Sequence, residues 1–115
     1  MSERITFDLP APGELVVDIK RDTESVVVAL TGELDLATAE TFERHLREAE
    51  SSRPTRLIVD LAALGFMDST GLQTLLRARE RANSCEHELT LRRGPHQVQR
   101  VFELTRTLEA FSFED

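Results

Sequence analysis

The 115-residue sequence contains no tryptophan and no tyrosine, and its only cysteine is Cys85. Because sugar and quaternary-ammonium sites usually use large aromatic faces, the missing rings argue against such a site. A single cysteine excludes an internal disulfide and is typical of a reducing compartment. No flanking cation or motif activates the thiol, so we expect Cys85 to be a bystander.

Long apolar runs are absent too, and the start Met1–Arg4 does not begin a signal peptide. We therefore expect no membrane span and a cytoplasmic protein. The formal net charge is -7, which argues against nucleic acid as a partner, because phosphate contacts need a basic surface. With 40% hydrophobic and 30% charged residues, the composition is that of one soluble globular domain.

Apolar spacing predicts the element order β-β-α-β-α-β-α-β. Strands that alternate with helices imply an α/β fold with a mixed, mostly parallel sheet of four to five strands and three main helices. Residues 1–13 are expected to be a lead-in with an edge strand at 5–7, and residues 14–113 the domain. The predicted strands are 14–21, 26–30, 55–61 and 87–91, with a last strand or docked tail near Phe111 and Phe113; the helices are 37–50, 70–83 and one that starts at Gly94-Pro95.

Two features of this prediction concern the sheet itself. The β-branched run at 26–30 is typical of a strand buried on both faces. Residues 62–67 are expected to form a connecting loop.

Polar residues follow two strands where each strand ends. Glu33 and Asp35 follow the first parallel strand, and Asp68, Ser69 and Thr70 follow the next. Because sites in such sheets gather beyond the carboxyl ends of the strands, we expect these two loops to be neighbours. Asp68 is expected to be the N-cap of the following helix, and Thr38 or Asp35 to cap the helix before it.

The sequence does not match the motifs of catalytic or cofactor-binding sites. The flanks of Ser69 do not fit the G-x-S-x-G turn that exposes a nucleophile, and the three histidines lack the close spacing of a zinc site. Asp35, Asp60 and Asp68 do not form the adjacent acidic pair of a phospho-receiver pocket, and the only lysine, Lys20, comes early. Gly65 and Gly71 do not make a phosphate loop. We expect no enzyme, no metal and no cofactor.

Two interpretations of Ser69 and Thr70 remain. In the first, they simply start a helix, where hydroxyls are ordinary. Alternatively, they are a reversible phosphoacceptor, because two hydroxyls follow a carboxylate where one cap would do. Gly71 also favours function: it costs up to about 1 kcal/mol relative to alanine within a helix, yet it leaves the backbone open to a partner.

Four segments of the chain form a recognisable set: Gly32–Asp35, Val59–Leu61, Phe66–Leu72 and Gly94–Thr105. Together they resemble the STAS domain family, and in particular its bacterial anti-sigma factor antagonists. The likeness covers about residues 14–113. One departure is that family members often carry glycine after the third helix, where this chain reads Leu104-Thr105-Arg106-Thr107.

The resemblance implies partner switching. The unphosphorylated domain would bind an anti-sigma factor that is also a serine/threonine kinase, and so free the sigma factor; phosphorylation at Ser69 or Thr70 would break the complex until a phosphatase restores it. The alternative is a STAS docking subunit of a transport or stress-signalling assembly without phosphorylation. The residues that the resemblance assigns to partner binding are Glu33, Asp35, Asp68, Gly71 and Leu72.

Overall fold

An opening hairpin is followed by alternating helices and strands in the computed structural model, which describes residues 10–114. These residues form one sheet in the order β1-β2-β3-β4-β5, in which only β1 and β2 pair antiparallel. The predicted α/β fold is confirmed, while the edge strand expected at 5–7 lies outside the described residues. The elements are β1 (Leu15–Arg21), β2 (Ser25–Leu34), α1 (Ala39–Glu50), β3 (Arg56–Met67), α2 (Ser69–Cys85), β4 (Glu88–Arg92), α3 (His96–Leu104), a 3₁₀ turn (Leu108–Ala110) and β5 (Ser112–Glu114).

The three helices pack against one face of the sheet. Phe42 of α1, Leu75 of α2 and Phe102 of α3 join a single buried cluster with paired strand residues such as Val28 and Val59. Along β2 the residues alternate between buried and half-buried. The expectation that residues 26–30 are buried on both faces is therefore wrong, because the helices of the described chain cover one face only.

β3 is longer than the sequence predicts. Residues 62–67 are not a connecting loop, since β3 continues to Met67. Its register with β2 shifts between Ala29 and Thr31 and again between Gly32 and Glu33. Such bulges break the two-residue alternation by which a strand is recognised in sequence. Because of this extension, β2 and β3 end side by side.

α3 ends without the glycine that often closes such helices. Arg106 takes the left-handed conformation instead, with φ 60°, and the amide of Thr107 donates to the carbonyl of Phe102 at 3.0 Å. Glycine is the usual residue at this position because it has no Cβ. The departure at residues 104–107 thus changes which residue adopts the left-handed conformation, while the helix still ends in the ordinary way.

Arg81 joins α2 to α1 through two carboxylates. Its Nε and Nη2 donate to the two carboxylate oxygens of Glu50 at 2.8 and 3.0 Å, and Nη1 donates to Glu43 Oε2 at 3.0 Å. Burial lowers the pKa of Arg81, but the hydrogen bonds and charges of Glu50 and Glu43 outweigh it, so the pKa is raised overall. The guanidinium is therefore a permanent positive link between the two helices.

Candidate functional site

The two loops predicted to be neighbours meet at the carboxyl edge of the sheet. Leu34 at the end of β2 is paired with Met67 at the end of β3. The amide of Asp68 donates to the carbonyl of Leu34 at 3.1 Å, so one backbone hydrogen bond joins the two strand ends. The acidic loop after β2 and the hydroxyl pair after β3 consequently lie at one tip of the domain.

Asp68 is the N-cap of α2, as the sequence predicts. Its backbone is extended, and Oδ1 accepts hydrogen bonds from the amides of Thr70 at 2.9 Å and Gly71 at 3.2 Å. These amides have no partner within the helix, and the carboxylate also faces the positive end of the helix dipole. The side chain of Asp68 is thus committed to the helix start.

The two candidate phosphoacceptors sit directly after this cap. Ser69 is the first residue of α2 and is exposed, whereas Thr70 is half-buried. Among the hydrogen bonds within residues 10–114, Thr70 uses its amide and its carbonyl, and neither hydroxyl is engaged. With Asp68 serving as the cap, both hydroxyls remain available for another role.

Gly71 and Leu72 are both buried. A Cβ atom at Gly71 would lie 2.6 Å from Cγ of Leu34 and 3.1 Å from Cγ of Met67, and Leu72 is only 3% exposed. Both residues therefore pack inside the domain. This packing explains why residue 71 is glycine without requiring a partner. Contact of either residue with a partner stays a prediction.

Asp35 and Thr38 organise the loop after β2. Asp35 Oδ1 accepts from the amides of Ala37 at 3.0 Å and Thr38 at 3.2 Å, so of the two predicted caps it is Asp35 that serves the turn into α1. The hydroxyl of buried Thr38 donates to the carbonyl of Glu33 at 2.9 Å and accepts from the amide of Asp35 at 3.0 Å. One hydroxyl thus satisfies two backbone groups of the loop.

Glu33 turns toward the N-terminal side of the domain. Its Oε2 accepts from the amide of Gly13 at 3.1 Å, and its own amide donates to the carbonyl of Glu14 at 2.9 Å. Glu33 therefore holds the turn at residues 11–13 against the end of β2. No local pattern in the sequence predicts this link, because it joins residues that are distant along the chain.

Two exposed apolar residues at this tip were missed by the sequence reasoning. Leu36 is 78% exposed and Phe66 is 46% exposed, although both are large and hydrophobic. The segment that carries Phe66 is also tied to α3, since Gln97 Nε2 donates to the carbonyl of Gly65 at 3.2 Å. Exposed apolar side chains beside Asp35 and Asp68 give this tip the mixed character of a protein-binding surface.

Other kinds of site find little support in the part of the chain that the structure describes. Residues 10–114 hold no group of three or more histidine, cysteine, aspartate or glutamate residues placed to bind a metal ion. No helix in the same range is long and apolar enough to cross a membrane. Cys85 is exposed at the end of α2, at the other end of that helix from Ser69.

Comparison with known proteins decides the family. The family model described as STAS domain matches residues 16–115. The chain belongs to the STAS domain family. The resemblance inferred from the sequence is thereby confirmed, and it extends over the whole described sheet, from β1 to β5.

Similar STAS proteins include antagonists of anti-sigma factors. RsfB of Mycobacterium tuberculosis, an anti-sigma-F factor antagonist, is 33% identical over 73 residues, which are 64% of this chain and 60% of that protein. The anti-sigma-B factor antagonist of Listeria monocytogenes is 31% identical over 90 residues, which are 77% of this chain and 79% of the listerial protein. The match thus spans less than two thirds of the mycobacterial protein but more than two thirds of the listerial one.

A solved structure shows the same STAS architecture. The crystal structure of an anti-sigma factor antagonist from Mycobacterium paratuberculosis matches this domain with a TM-score of 0.82 at 25% identity. The match covers 91% of this chain and 89% of that one. The two structures therefore share their architecture over most of both chains.

Proposed function

We propose that this STAS domain is an anti-sigma factor antagonist whose binding is switched off by phosphorylation at Ser69 or Thr70. The observation that carries the proposal is the helix start of α2, where Asp68 is the cap and the hydroxyls of Ser69 and Thr70, beside an acidic loop, make no hydrogen bond within residues 10–114. The similarity to RsfB and to the listerial antagonist supplies the class of partner, an anti-sigma factor.

A phosphate at this position acts on the surface more than on the fold. It adds a charge of about -1.5 to -2 at neutral pH. The amides of Thr70 and Gly71 that would otherwise neutralise it already bind Asp68. The new charge therefore adds to the carboxylates of Asp35 and Asp68 and repels a partner that docks at this tip.

The proposed cycle needs two partners and no chemistry from this domain. The anti-sigma factor binds the unphosphorylated form, which frees the sigma factor, and its serine/threonine kinase activity then phosphorylates the bound antagonist. A protein phosphatase restores the first state. All of these steps involve sigma factors, so the proposal places the protein in the cytoplasm, as a non-enzymatic regulator.

Labelling with ATP tests the switch. Each anti-sigma factor of the source organism is purified and incubated with the wild-type domain and with Ser69→Ala, Thr70→Ala and the double variant. We expect the wild type to be labelled by one of them and the double variant to lose the label, while Ser84→Ala, an exposed serine at the far end of α2, keeps it. The single variants identify the acceptor.

Two results would contradict the switch. Labelling of the double variant at the wild-type level would show that the acceptor lies elsewhere. Stable binding without any labelling would leave the docking role of a STAS module without phosphorylation, such as a subunit of a transport or stress-signalling assembly.

A charge substitution at the acceptor tests the electrostatic step. Ser69→Asp and Thr70→Asp supply part of the phosphate charge and should weaken binding to the anti-sigma factor. Ser69→Asn and Thr70→Asn are neutral side chains of nearly the same shape and serve as matched controls. Equal affinities of the Asp and Asn variants in isothermal titration calorimetry would argue against repulsion as the cause of release.

A further inference from the structure

An apolar groove runs beside the phosphoacceptor tip, on the face of the sheet away from the helices. It has a volume of about 390 Å³. One wall is the segment Pro10–Pro12, the other is Phe66, and Ala63 and Gly65 of β3 also line it. Glu33, a residue of the candidate site, also lines the groove, so the groove adjoins that site.

The first wall is held in place by residues of the site. Glu33 accepts from the amide of Gly13, and Glu14 Oε1 accepts from the amide of Ala11 at 3.0 Å. Gly32 has φ 114°, and a Cβ there would run into the carbonyl oxygen of Glu14 and lie 3.2 Å from Cγ of Pro10. The turn thus packs onto a glycine that permits close approach, and the carboxylate of Glu33 fixes its position.

The edge of this groove is acidic, and a second apolar anchor lies on the neighbouring loop. Glu33 lines the groove and Glu14 contacts its wall at Ala11, while Asp35 and Asp68 lie at the same tip. Leu36, 78% exposed, follows β2 by two residues, just as Ser69 follows β3 by two. Two apolar anchors therefore occur at the tip that carries the hydroxyls, together with these carboxylates.

We propose that the groove between Pro10–Pro12 and Phe66 receives an apolar side chain of the anti-sigma factor, with Leu36 as the second anchor. The inference rests on the proposed function and names the docking surface of that same site. The groove shares Glu33 with the site at which the anti-sigma factor is proposed to dock, and this continuity identifies the occupant. Anchors beside the hydroxyls hold the domain while leaving Ser69 and Thr70 accessible to the kinase.

Calorimetric titration of the anti-sigma factor that labels the wild type tests the groove. Phe66→Ala should weaken binding by about tenfold or more, as expected for a buried aromatic anchor. Leu36→Ala should weaken it in the same direction. Leu104→Ala is the matched control, because Leu104 is 71% exposed at the far end of α3 and outside the groove; it should bind within about twofold of wild type.

Glu33 provides a second, independent measurement. Glu33→Ala removes the acceptor for the amide of Gly13 and should weaken binding, whereas Glu33→Gln keeps a side-chain oxygen there and should restore most of it. Circular dichroism and urea unfolding of each variant show whether it is folded. Rescue by glutamine supports a positioning role of Glu33 in the groove wall, whereas equal loss in both variants would assign the effect to charge and contradict that role.

The outcomes separate the groove from the switch. If Phe66→Ala is folded and binds with wild-type affinity, the groove proposal is wrong. The phosphorylation switch is unaffected by that result as long as labelling still depends on Ser69 and Thr70. Weak binding of Phe66→Ala, together with labelling of the double hydroxyl variant, overturns the acceptor assignment and supports the groove. If the wild type binds none of the anti-sigma factors of its organism, both proposals are wrong.

Discussion

Leu34, at the end of β2, occupies the space that a side chain at Gly71 would need. A Cβ at Gly71 would lie 2.6 Å from Cγ and 2.8 Å from Cδ2 of Leu34. The first turn of α2 can pack on the end of β2 only because residue 71 has no side chain. The pair therefore sets how close the hydroxyl-bearing helix lies to the acidic loop.

Gly71→Ala should lower the free energy of unfolding by about 1–2 kcal/mol, because the overpacking at Leu34 outweighs the better helix propensity of alanine. Gly65→Ala is the control: its Cβ would meet only the carbonyl of Gly32 at 3.5 Å, so little change is expected. Urea unfolding measures both. In a double-mutant cycle, Leu34→Ala should relieve Gly71→Ala, and strictly additive losses would contradict the steric explanation.

Asp68→Ala should lower the free energy of unfolding by about 1 kcal/mol, because the amides of Thr70 and Gly71 lose their cap. Asp68→Asn keeps a capping oxygen and should stay within a few tenths of wild type. Chemical denaturation monitored by circular dichroism distinguishes the two. A loss of the same size in both variants would mean that charge at the helix start, and not the cap, supplies the stabilisation.

Thr38→Val should cost about 1–3 kcal/mol, because the carbonyl of Glu33 and the amide of Asp35 both lose a partner in a buried place. Thr38→Ser retains the hydroxyl and should lose considerably less. Thermal unfolding of the two variants provides the comparison. If valine were tolerated as well as serine, the hydroxyl would not be what holds the loop after β2.

Arg81→Met should lower the free energy of unfolding by about 1.5–3 kcal/mol, because Glu43 and Glu50 lose a charged hydrogen-bond donor. Arg47→Met removes an exposed ion pair with Glu43 on the same helix and should cost only about 0.3–0.5 kcal/mol. Urea unfolding at low and high salt compares them. Similar losses for Arg81 and Arg47 would show that the link between α1 and α2 adds nothing beyond a surface pair.

The sequence predicts the order of elements well, because each has a clear period. The helix positions of Phe42 and Leu46 recur every three to four residues, and Asp68 precedes the apolar face of α2 as a cap should. The end of β3 was not predictable in the same way. Extra residues in β3, one of them Gly65, interrupt the alternation, and the pairing with β2 that continues the strand is a long-range property.

The candidate site was predictable in part for the same reason. Ser69 and Thr70 lie in a local motif, and the cap at Asp68 follows from residue types within three positions. The role of Glu33 depends on a tertiary contact with Gly13, which no local pattern contains. Gly71 looked like an opening for a partner, and only the position of Leu34 shows that it is filled from inside.

The backbone hydrogen bond between Asp68 and Leu34 joins two segments that are separated in the chain by the whole of α1. A linear peptide copied from residues 66–72 would carry both hydroxyls but would lack the acidic loop and the strand end that hold them in place. Binding of that peptide would include the entropy loss of ordering it, which the folded domain has already undergone. An inhibitor that imitates this tip therefore has to be built on a scaffold that presents two strand ends side by side.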